Sequence, residues 1–208
     1  MKSGTKTRRE REKLMRKLHI IDCAETVIRR EGLFGLSMDA VAKEAELAKG
    51  TLYLYFKNKE EIITQLVLKA RQLLLKTFHE AAAQKENPLD QLENMMIAAY
   101  EFFINDPTYS ELVSFYEASK HTEETGELLQ SSLNITAFFV SIVDRGKLVG
   151  LIRSELNASQ LAYIAWGTSV GMTQLADVKA KLIQDQLQQD SSELYAAYVQ
   201  LMIKAIKT

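Results

Sequence analysis

Residues 37–56, SMDAVAKEAELAKGTLYLYF, constrain the fold more than any other stretch of the chain. Ser37 suits the start of a helix, because its hydroxyl can accept a hydrogen bond from a free amide of the first turn. Val41, Ala42 and Ala45 then form one narrow apolar stripe, whose small residues let a second helix cross closely. The short break that follows predicts a helix-turn-helix. The alternative is an ordinary helical hairpin in an all-α protein.

The second half of this stretch predicts a short helix with a small, nearly uncharged outer surface. Leu52 and Phe56 share the inner face, whereas Gly50 and Leu54 point roughly the opposite way and Thr51 lies to one side. The major groove of DNA has room for a helix but not for bulky side chains that cover it. We therefore predict that this helix enters the groove.

Polar side chains flank the predicted groove-binding surface. Lys49 at the start of the helix, with Tyr53 and Tyr55 beside it, can reach phosphates with an ammonium and two phenol hydroxyls. Such contacts fix the register on DNA without reading its sequence. The sequence NKEE at 58–61 is an N-x-x-E capping box that begins a further helix. The free amides of that helix, together with Lys59, offer one more site for a phosphate.

At these residues the chain resembles the TetR family of transcriptional repressors, over about residues 18–66. The matching positions are Ser37, Val41, Ala42, Ala45, Lys49, Gly50, Thr51, Leu52, Tyr53, Tyr55, Phe56, Lys59 and Glu60. The resemblance implies that Lys49, Gly50 and Thr51 approach base edges. It implies backbone contacts from a second set, namely Ser37, Tyr53, Tyr55 and Lys59. It also implies a C-terminal half that binds a small effector, which shifts the fourth helix.

Two positions depart from the family pattern. Glu46 stands where the turn usually has Gly, and Ala48 stands where the recognition helix usually has a Ser or Thr cap. A left-handed Glu costs roughly 1 kcal/mol, and a missing cap costs about as much. We expect a less stable or slightly altered turn, with consequences for register and base preference rather than for the fold.

Charge is distributed unevenly along the chain, whose net charge is −1. Residues 1–62 contain 14 Lys/Arg against 10 Asp/Glu, whereas residues 63–208 contain 12 against 17. The positive half is the one with the helix-turn-helix, as DNA binding requires. Residues 1–17 alone hold eight basic and two acidic residues, which predicts a basic N-terminal arm with phosphate or minor-groove contacts. A solvated charged terminus is the alternative.

Composition argues against metal, cofactor and membrane chemistry. The single cysteine, Cys23, falls in an apolar helical pattern, which favours a buried thiol in a reducing compartment over a redox sensor. His19, His79 and His121 show no metal-ligand spacing, and no glycine-rich phosphate loop is present. We expect no metal and no cofactor. Without a signal peptide or a membrane span, the chain is predicted to be a cytoplasmic protein.

Helical patterns recur along the whole chain, without strand-like alternation, and predict an all-α fold. We predict an N-terminal three-helix DNA-binding head at residues 1–57, including the arm, and a helical ligand-binding and dimerisation domain at residues 58–208. The fourth helix should run from about residue 58 to 85 and link the two. Later helices are expected at about 108–120, 124–147, 157–186 and 191–206.

Large, adaptable side chains are frequent in the middle helices. Most must form the core, but Met and aromatic walls are also how apolar ligand sites are built. The candidates for a ligand pocket are Met95, Met96, Tyr100, Phe103, Phe115, Tyr116, Phe138, Phe139 and Trp166. Together with the family resemblance, they predict a small apolar or aromatic effector.

The last two helices carry more apolar surface than one partner can cover. Glycine inside a soluble helix costs about 1 kcal/mol, which suggests a backbone brought close to another element. We predict a homodimer interface formed by Tyr163, Gly167, Gly171, Leu175, Leu194, Tyr198 and Leu201. Packing within one chain is the alternative.

The sequence thus predicts a ligand-responsive DNA-binding transcriptional regulator, a repressor that binds a palindromic operator in double-stranded DNA as a homodimer. The rivals are a ligand-independent DNA-binding or architectural dimer, and a helical small-molecule-binding protein or hydrolase. Residues 167–171 match G-x-S-x-G, the nucleophile elbow of serine hydrolases, but the flanks are helical and no histidine follows. We therefore expect no enzyme.

Overall fold

The computed structural model describes residues 7–118 and 126–208, and these residues are helical except for short turns and one isolated bridge between Ile152 and Lys207. The predicted all-α fold is confirmed. The helices are α1 (Arg8–Glu31), α2 (Met38–Glu44), α3 (Lys49–Tyr53), α4 (Lys59–Ala83), α5 (Pro88–Asn105), α6 (Pro107–Ala118), α7 (Gly126–Leu148), α8 (Ala158–Leu187) and α9 (Ser191–Ile206). A short 3-10 turn, Leu33–Gly35, lies between α1 and α2.

Local signals set both ends of α1. Thr7 begins the helix in a capping box: its hydroxyl accepts from the Glu10 amide, and its own amide donates to the Glu10 carboxylate at 2.7 Å. Gly32 ends it with φ at +76°, a conformation that a residue without Cβ adopts at little cost. Residues 1–6 of the predicted arm lie outside the described residues.

The described chain forms two compact units. The head unit comprises the described residues up to Lys69, with residues 111–118 of α6. The second unit comprises residues 70–110 and the described residues from 126 onward. The helix α4 therefore begins in the head unit and continues into the second. The predicted boundary at residue 57, between a DNA-binding domain and a ligand-binding and dimerisation domain, stays a prediction.

In the second unit, polar caps fix the starts of the long helices. The Asn87 side chain accepts from the amide of Leu89 at 2.8 Å, and Pro88 occupies the first turn of α5, where it loses no helical hydrogen bond. Asp190 begins α9 in a capping box with Glu193. The core between the helices includes the buried apolar residues Leu92, Met95, Ile142, Val143 and Val199.

Among the described helices, α7 has the length and apolar composition that a membrane span needs. The expectation that no such helix exists was therefore too strict. Length and composition alone are weak evidence for a span, because core helices of globular proteins meet the same criteria. Ile142 and Val143 of α7 are fully buried within the second unit, which gives this helix an ordinary role in packing.

Candidate nucleic-acid interface

The first helix of the helix-turn-helix begins as its sequence predicts. The Ser37 hydroxyl accepts from the Ala40 amide at 3.1 Å and caps α2. Val41, Ala42 and Ala45 are all buried, so the narrow stripe of small residues faces inward. The Ser37 side chain remains exposed, and its O–H can still donate to a phosphate.

The recognition helix α3 is shorter than predicted. It covers Lys49–Tyr53 rather than residues 48–56. The amides of Leu54 and Tyr55 donate to carbonyls three residues earlier, at 3.2 and 2.9 Å, so the chain tightens into a turn after Tyr53. Because α3 ends early, Tyr55 and Phe56 lie in the turn that leads to α4.

The inner and outer faces of this segment are those that the sequence predicts. Leu52 and Phe56 are buried, whereas Gly50 is exposed and Leu54 is 76% exposed. A Cβ added at Gly50 would meet no atom within 4 Å, so packing within the chain does not require glycine there. Thr51 is half-buried beside this open surface. The outward face is small and apolar, and a groove can approach its backbone closely.

Lys49 is held by a carboxylate of the preceding helix. Its Nζ lies 2.6 Å from Asp39 Oδ1 and 2.9 Å from Oδ2, and both side chains are more than half exposed. The hydrogen bond and the charge of Asp39 raise the pKa of Lys49. The ammonium that was expected at DNA is therefore engaged with Asp39 in the absence of DNA. Sequence reasoning missed this pair, because the crossing of α2 and α3 decides whether residues ten apart meet.

The remaining predicted contact residues border the same helices of the head unit. Tyr53 is exposed at the end of α3, and Tyr55 is half-buried in the following turn. Lys59 is exposed in the first turn of α4 and forms no ion pair with any described residue. Contact of these three side chains with phosphates stays a prediction.

The capping at the start of α4 differs slightly from the predicted box. Asn58 Oδ1 accepts from the Glu61 amide at 2.9 Å, as an N-cap should. The Glu61 carboxylate accepts from the amide of Lys57, at 2.8 Å, rather than from that of Asn58. The helix start remains fixed on both sides, with Lys59 in its first turn.

A half-buried carboxylate braces α1 against α4 within the head unit. The Glu25 carboxylate accepts from Lys69 Nζ at 2.8 Å and from Arg29 Nη2 at 2.6 Å. Burial alone would raise the pKa of Glu25, but the hydrogen bonds from Lys69 and Arg29 outweigh it and leave that pKa below its usual value. Lys69 also contacts Asp22 at 2.7 Å.

The nine residues predicted to line a ligand pocket are distributed over both units. Phe115 and Tyr116 lie in the part of α6 that groups with the head, and Phe115 is exposed. Those in the second unit are Met95, Met96, Tyr100 and Phe103, which are buried, and Phe138, Phe139 and Trp166, which are half-buried. The rings of Phe103 and Trp166 lie 6.3 Å apart. The pocket itself stays a prediction.

The residues predicted at a dimer interface lie on α8 and α9. Tyr163 and Leu201 are 67% and 68% exposed, and Leu175 is exposed as well. A Cβ at Gly167 or Gly171 would meet no atom within 4 Å, so nothing in the single chain requires glycine at either position. Leu194 and Tyr198 are half-buried. Further exposed apolar residues continue the α8 surface: Ile164, Val178 and Leu182.

The G-x-S-x-G match lies in the middle of α8, not at the strand-to-helix turn that a nucleophile elbow needs. The hydroxyl of Ser169 is 3.3 Å from that of Tyr198, a tyrosine in place of the histidine that activates the serine of a hydrolase triad. The described residues contain no group of three or more His, Cys, Asp or Glu able to hold a metal ion.

The fold and this surface define a class of protein, a DNA-binding regulator with a helix-turn-helix head and a helical second unit. Comparison with known proteins adds evidence on the family within this class. Residues 20–66 match the family model described as bacterial regulatory proteins, tetR family. An uncharacterised HTH-type transcriptional regulator of Haemophilus influenzae is 32% identical over 99 residues, which are 48% of this chain and 53% of that protein.

Two further comparisons cover most of the chain. A fatty acid metabolism regulator protein of Bacillus subtilis is 26% identical over 161 residues, 76% of this chain and 81% of that protein. The crystal structure of a Bacillus subtilis transcriptional regulator in complex with stearoyl-CoA superposes with a TM-score of 0.71 at 21% identity, over 91% of this chain and 98% of that one. Residues 20–66 therefore carry the DNA-binding region of the TetR type, and the resemblance in the sequence is confirmed over that region.

Proposed function

We propose that the chain is a ligand-responsive repressor that binds a palindromic operator as a homodimer. The observation that carries the proposal is the open outer face of α3, with a bare backbone at Gly50 and an exposed Leu54 above the buried Leu52 and Phe56. A surface without bulky or charged cover suits the floor of the major groove.

Contacts with DNA divide into two groups. Lys49, Gly50 and Thr51 approach base edges and set sequence preference. The sugar-phosphate backbone is held by Ser37, Tyr53, Tyr55 and Lys59. The exposure of these side chains around α2, α3 and the start of α4 supports this division, because each polar group can reach a phosphate from its present position.

Dimerisation follows from the apolar surface of α8 and α9. Monomeric proteins rarely leave a continuous apolar stripe in water, and Tyr163, Val178 and Leu201 are among the most exposed large apolar residues of the second unit. Gly167 and Gly171 would let the partner's helix approach closely. Two heads related by a two-fold axis then require a palindromic site with half-sites about one helical turn apart.

The effector site lies among the aromatic and methionine residues of the second unit. A regulator of the same fold is known in complex with stearoyl-CoA, which supports a ligand with a large apolar part. Ligand must bind the DNA-binding and the released states unequally, and coupling energies of this kind are typically about 1–3 kcal/mol. The helix α4 starts in the head unit and extends into the second, so it offers a route for this coupling.

The proposal is tested by titrating duplex DNA into the protein over a range of salt concentrations. Lys59→Ala should weaken binding to all duplexes alike and reduce the salt slope by about one per head, because one phosphate contact is lost. Tyr53→Phe should weaken all sequences alike without changing that slope. Thr51→Ala should change the preference between duplexes. If Thr51→Ala preserves discrimination between them, the groove-facing assignment of α3 is wrong.

Two rivals give different results in the same assay. A ligand-independent architectural dimer would bind DNA whatever apolar compound is added. A small-molecule-binding protein or hydrolase with an inactive head would bind no duplex, and hydrolysis of a simple ester would disappear in Ser169→Ala. The repressor alone is expected to bind a duplex and release it on addition of ligand.

A further inference from the structure

The first turns of α1 carry a row of basic side chains without ionic partners. Thr7 starts the helix in a capping box, and the helix continues without a break to Glu31. The basic row consists of Arg9, Lys13 and Arg16. All three side chains are exposed, and none of them forms an ion pair with any described residue.

The basic row continues the buried face of α1 towards the N-terminus. Ile20, Ala24 and Val27 are buried where α1 packs within the head unit. At 100° per residue, the basic row and these three residues lie within one arc of about 80°. The face of α1 that is apolar inside the head is therefore basic where the helix extends past it.

Contacts between α1 and the chain around α4 show at which end of the head the basic row lies. Lys17 Nζ lies 5.4 Å from the centroid of the Phe56 ring, in the turn between α3 and α4. Further along both helices, Lys69 Nζ contacts Asp22 at 2.7 Å. The two helices therefore run side by side in the same general direction. Towards its N-terminus, α1 extends past the turn between α3 and α4, by about 12 Å from Lys17 to the start of the basic row.

This end of the head also carries Tyr55 and Lys59, which we propose as phosphate contacts. The acidic residues of the same turns of α1 are already engaged: Glu12 pairs with Arg8 at 2.8 Å, and Glu10 belongs to the capping box. The basic row thus extends about 10 Å along an exposed helix without a counter-charge. A line of cations on an open surface suits an extended polyanion better than one small anion, which needs an enclosing site.

The helical structure limits how this segment can contact DNA. An α-helix with its side chains is about 10–12 Å across, whereas the minor groove of DNA is about 6 Å wide. Residues 8–17, as a helix, are too wide to enter the minor groove in the way of an extended arm. Of the two DNA contacts that the sequence left open for this segment, the structure favours the contact with phosphates.

We infer that the basic row is a second, rigid DNA-binding surface, which binds the phosphate backbone beside the groove that α3 occupies. The inference rests on the proposed DNA-binding function and adds to it a contact that reads no sequence. Because the row is held on a helix before DNA binds, its side chains need no folding of the backbone to reach phosphates together.

The test is a fluorescence anisotropy titration of full-chain variants with a random-sequence duplex of about 40 base pairs at several salt concentrations. Arg9→Ala and Arg16→Ala should each weaken binding. Each should also reduce the slope of log affinity against log salt by about 0.9 per head, the value for one phosphate contact. Arg11→Ala is the matched control, because Arg11 is exposed on the same turns of α1 but points roughly the opposite way. It should keep the wild-type slope.

Duplexes made only of A·T or only of G·C pairs separate phosphate contacts from insertion into the minor groove. Arg9→Ala and Arg16→Ala should weaken binding to both duplexes alike, because phosphates carry no sequence information. A loss confined to the A·T duplex would indicate contacts inside the minor groove and would overturn the inference.

The inference and the proposed function fail differently. If the wild type binds duplex DNA but Arg9→Ala and Arg16→Ala keep its salt slope, the basic row is only a solvated surface, and the helix-turn-helix assignment remains. An equal reduction of the slope by Arg11→Ala would also overturn the inference, because the effect would then come from overall charge. If the wild type binds no duplex at low salt, the proposed function itself is wrong, and the inference falls with it.

Discussion

Glu46 adopts a left-handed backbone conformation, with φ at +52°, in the turn between α2 and α3. For a residue with a Cβ this conformation costs about 1–2 kcal/mol, whereas glycine adopts it readily but loses more entropy on folding. Glu46→Gly should therefore raise the free energy of unfolding by about 0.5–1 kcal/mol in a urea titration.

Glu46→Ala is the matched control, because it removes the carboxylate but keeps the Cβ. Glu46→Ala should give no increase in the free energy of unfolding. Equal stabilisation by Ala and Gly would assign the effect to charge and would contradict the account of strain in this turn.

Asp39 keeps the Lys49 ammonium on the protein surface and adds a negative charge beside the predicted groove-binding face. Asp39→Asn should free the Lys49 ammonium for contact with DNA and remove the repulsion between the Asp39 carboxylate and the phosphates. We expect tighter binding to duplexes of any sequence, a salt slope steeper by about one per head, and a smaller ratio of specific to non-specific affinity. Fluorescence anisotropy at several salt concentrations measures all three.

Glu155→Gln is the control for this change, since it removes the same charge from an exposed pair with Arg153 in the second unit. It should leave DNA affinity unchanged. A selective loss of specific binding in Asp39→Asn would instead mean that Asp39 positions Lys49 on its base, and the competition described above would be wrong.

The residues of the head could be assigned from sequence, but their pairings could not. Cap residues and inner faces follow from local spacing, so Ser37, Leu52 and Phe56 were predicted correctly. The Asp39–Lys49 pair depends on how α2 and α3 cross, which no local pattern records.

At the scale of the helix, the Glu25 carboxylate joins α1 to α4. Its folded-state pKa is lowered, so its stabilising effect is present above pH about 4.5 and is lost as the pH falls through the folded-state value. Glu25→Gln should lower the free energy of unfolding at pH 7 by about 1–2 kcal/mol, and the difference should shrink towards zero as the pH falls through the lowered pKa of Glu25.

Glu12→Gln offers the comparison on the same helix, since Glu12 pairs with Arg8 on the surface. Exposed ion pairs contribute little to stability. Glu12→Gln should therefore change the free energy of unfolding by no more than about 0.5 kcal/mol, both at pH 7 and at low pH. A Glu25→Gln deficit that persists at low pH would indicate lost packing in place of a lost ionic interaction.

The ends of the helices show where local reasoning succeeds. The predicted limits of α8 and α9 agree with the structure to within one residue. The recognition helix ended earlier than predicted, because nothing in its composition marks Tyr53 as the last helical residue. After Tyr53, the amides of Leu54 and Tyr55 donate to carbonyls three residues earlier rather than four. Phe56, which follows them, lies in the core.

For the whole molecule, the proposed homodimer through α8 and α9 is tested at their exposed apolar surface. Leu201→Glu or Tyr163→Glu should convert the dimer to a monomer in sedimentation experiments at micromolar concentration. Each removes about 1.5–3 kcal/mol of apolar burial from each of two copies, in addition to placing a charge there. Both side chains are exposed in the single chain, so its fold should persist.

Leu148→Glu is the matched control, because Leu148 is even more exposed than Leu201 and Tyr163 but lies at the end of α7, outside both helices. Its mass should equal that of the wild type. Dissociation by this change, or a wild type that is already monomeric, would contradict the proposed interface.

The most direct test of the whole account is selection of bound duplexes from a random pool by the purified wild-type chain at low salt. The account predicts enrichment of an inverted repeat whose half-sites lie about one helical turn apart, and loss of that enrichment in Thr51→Ala. Recovery of no duplex, or of a pool without any shared sequence, would contradict the claim that α3 reads DNA.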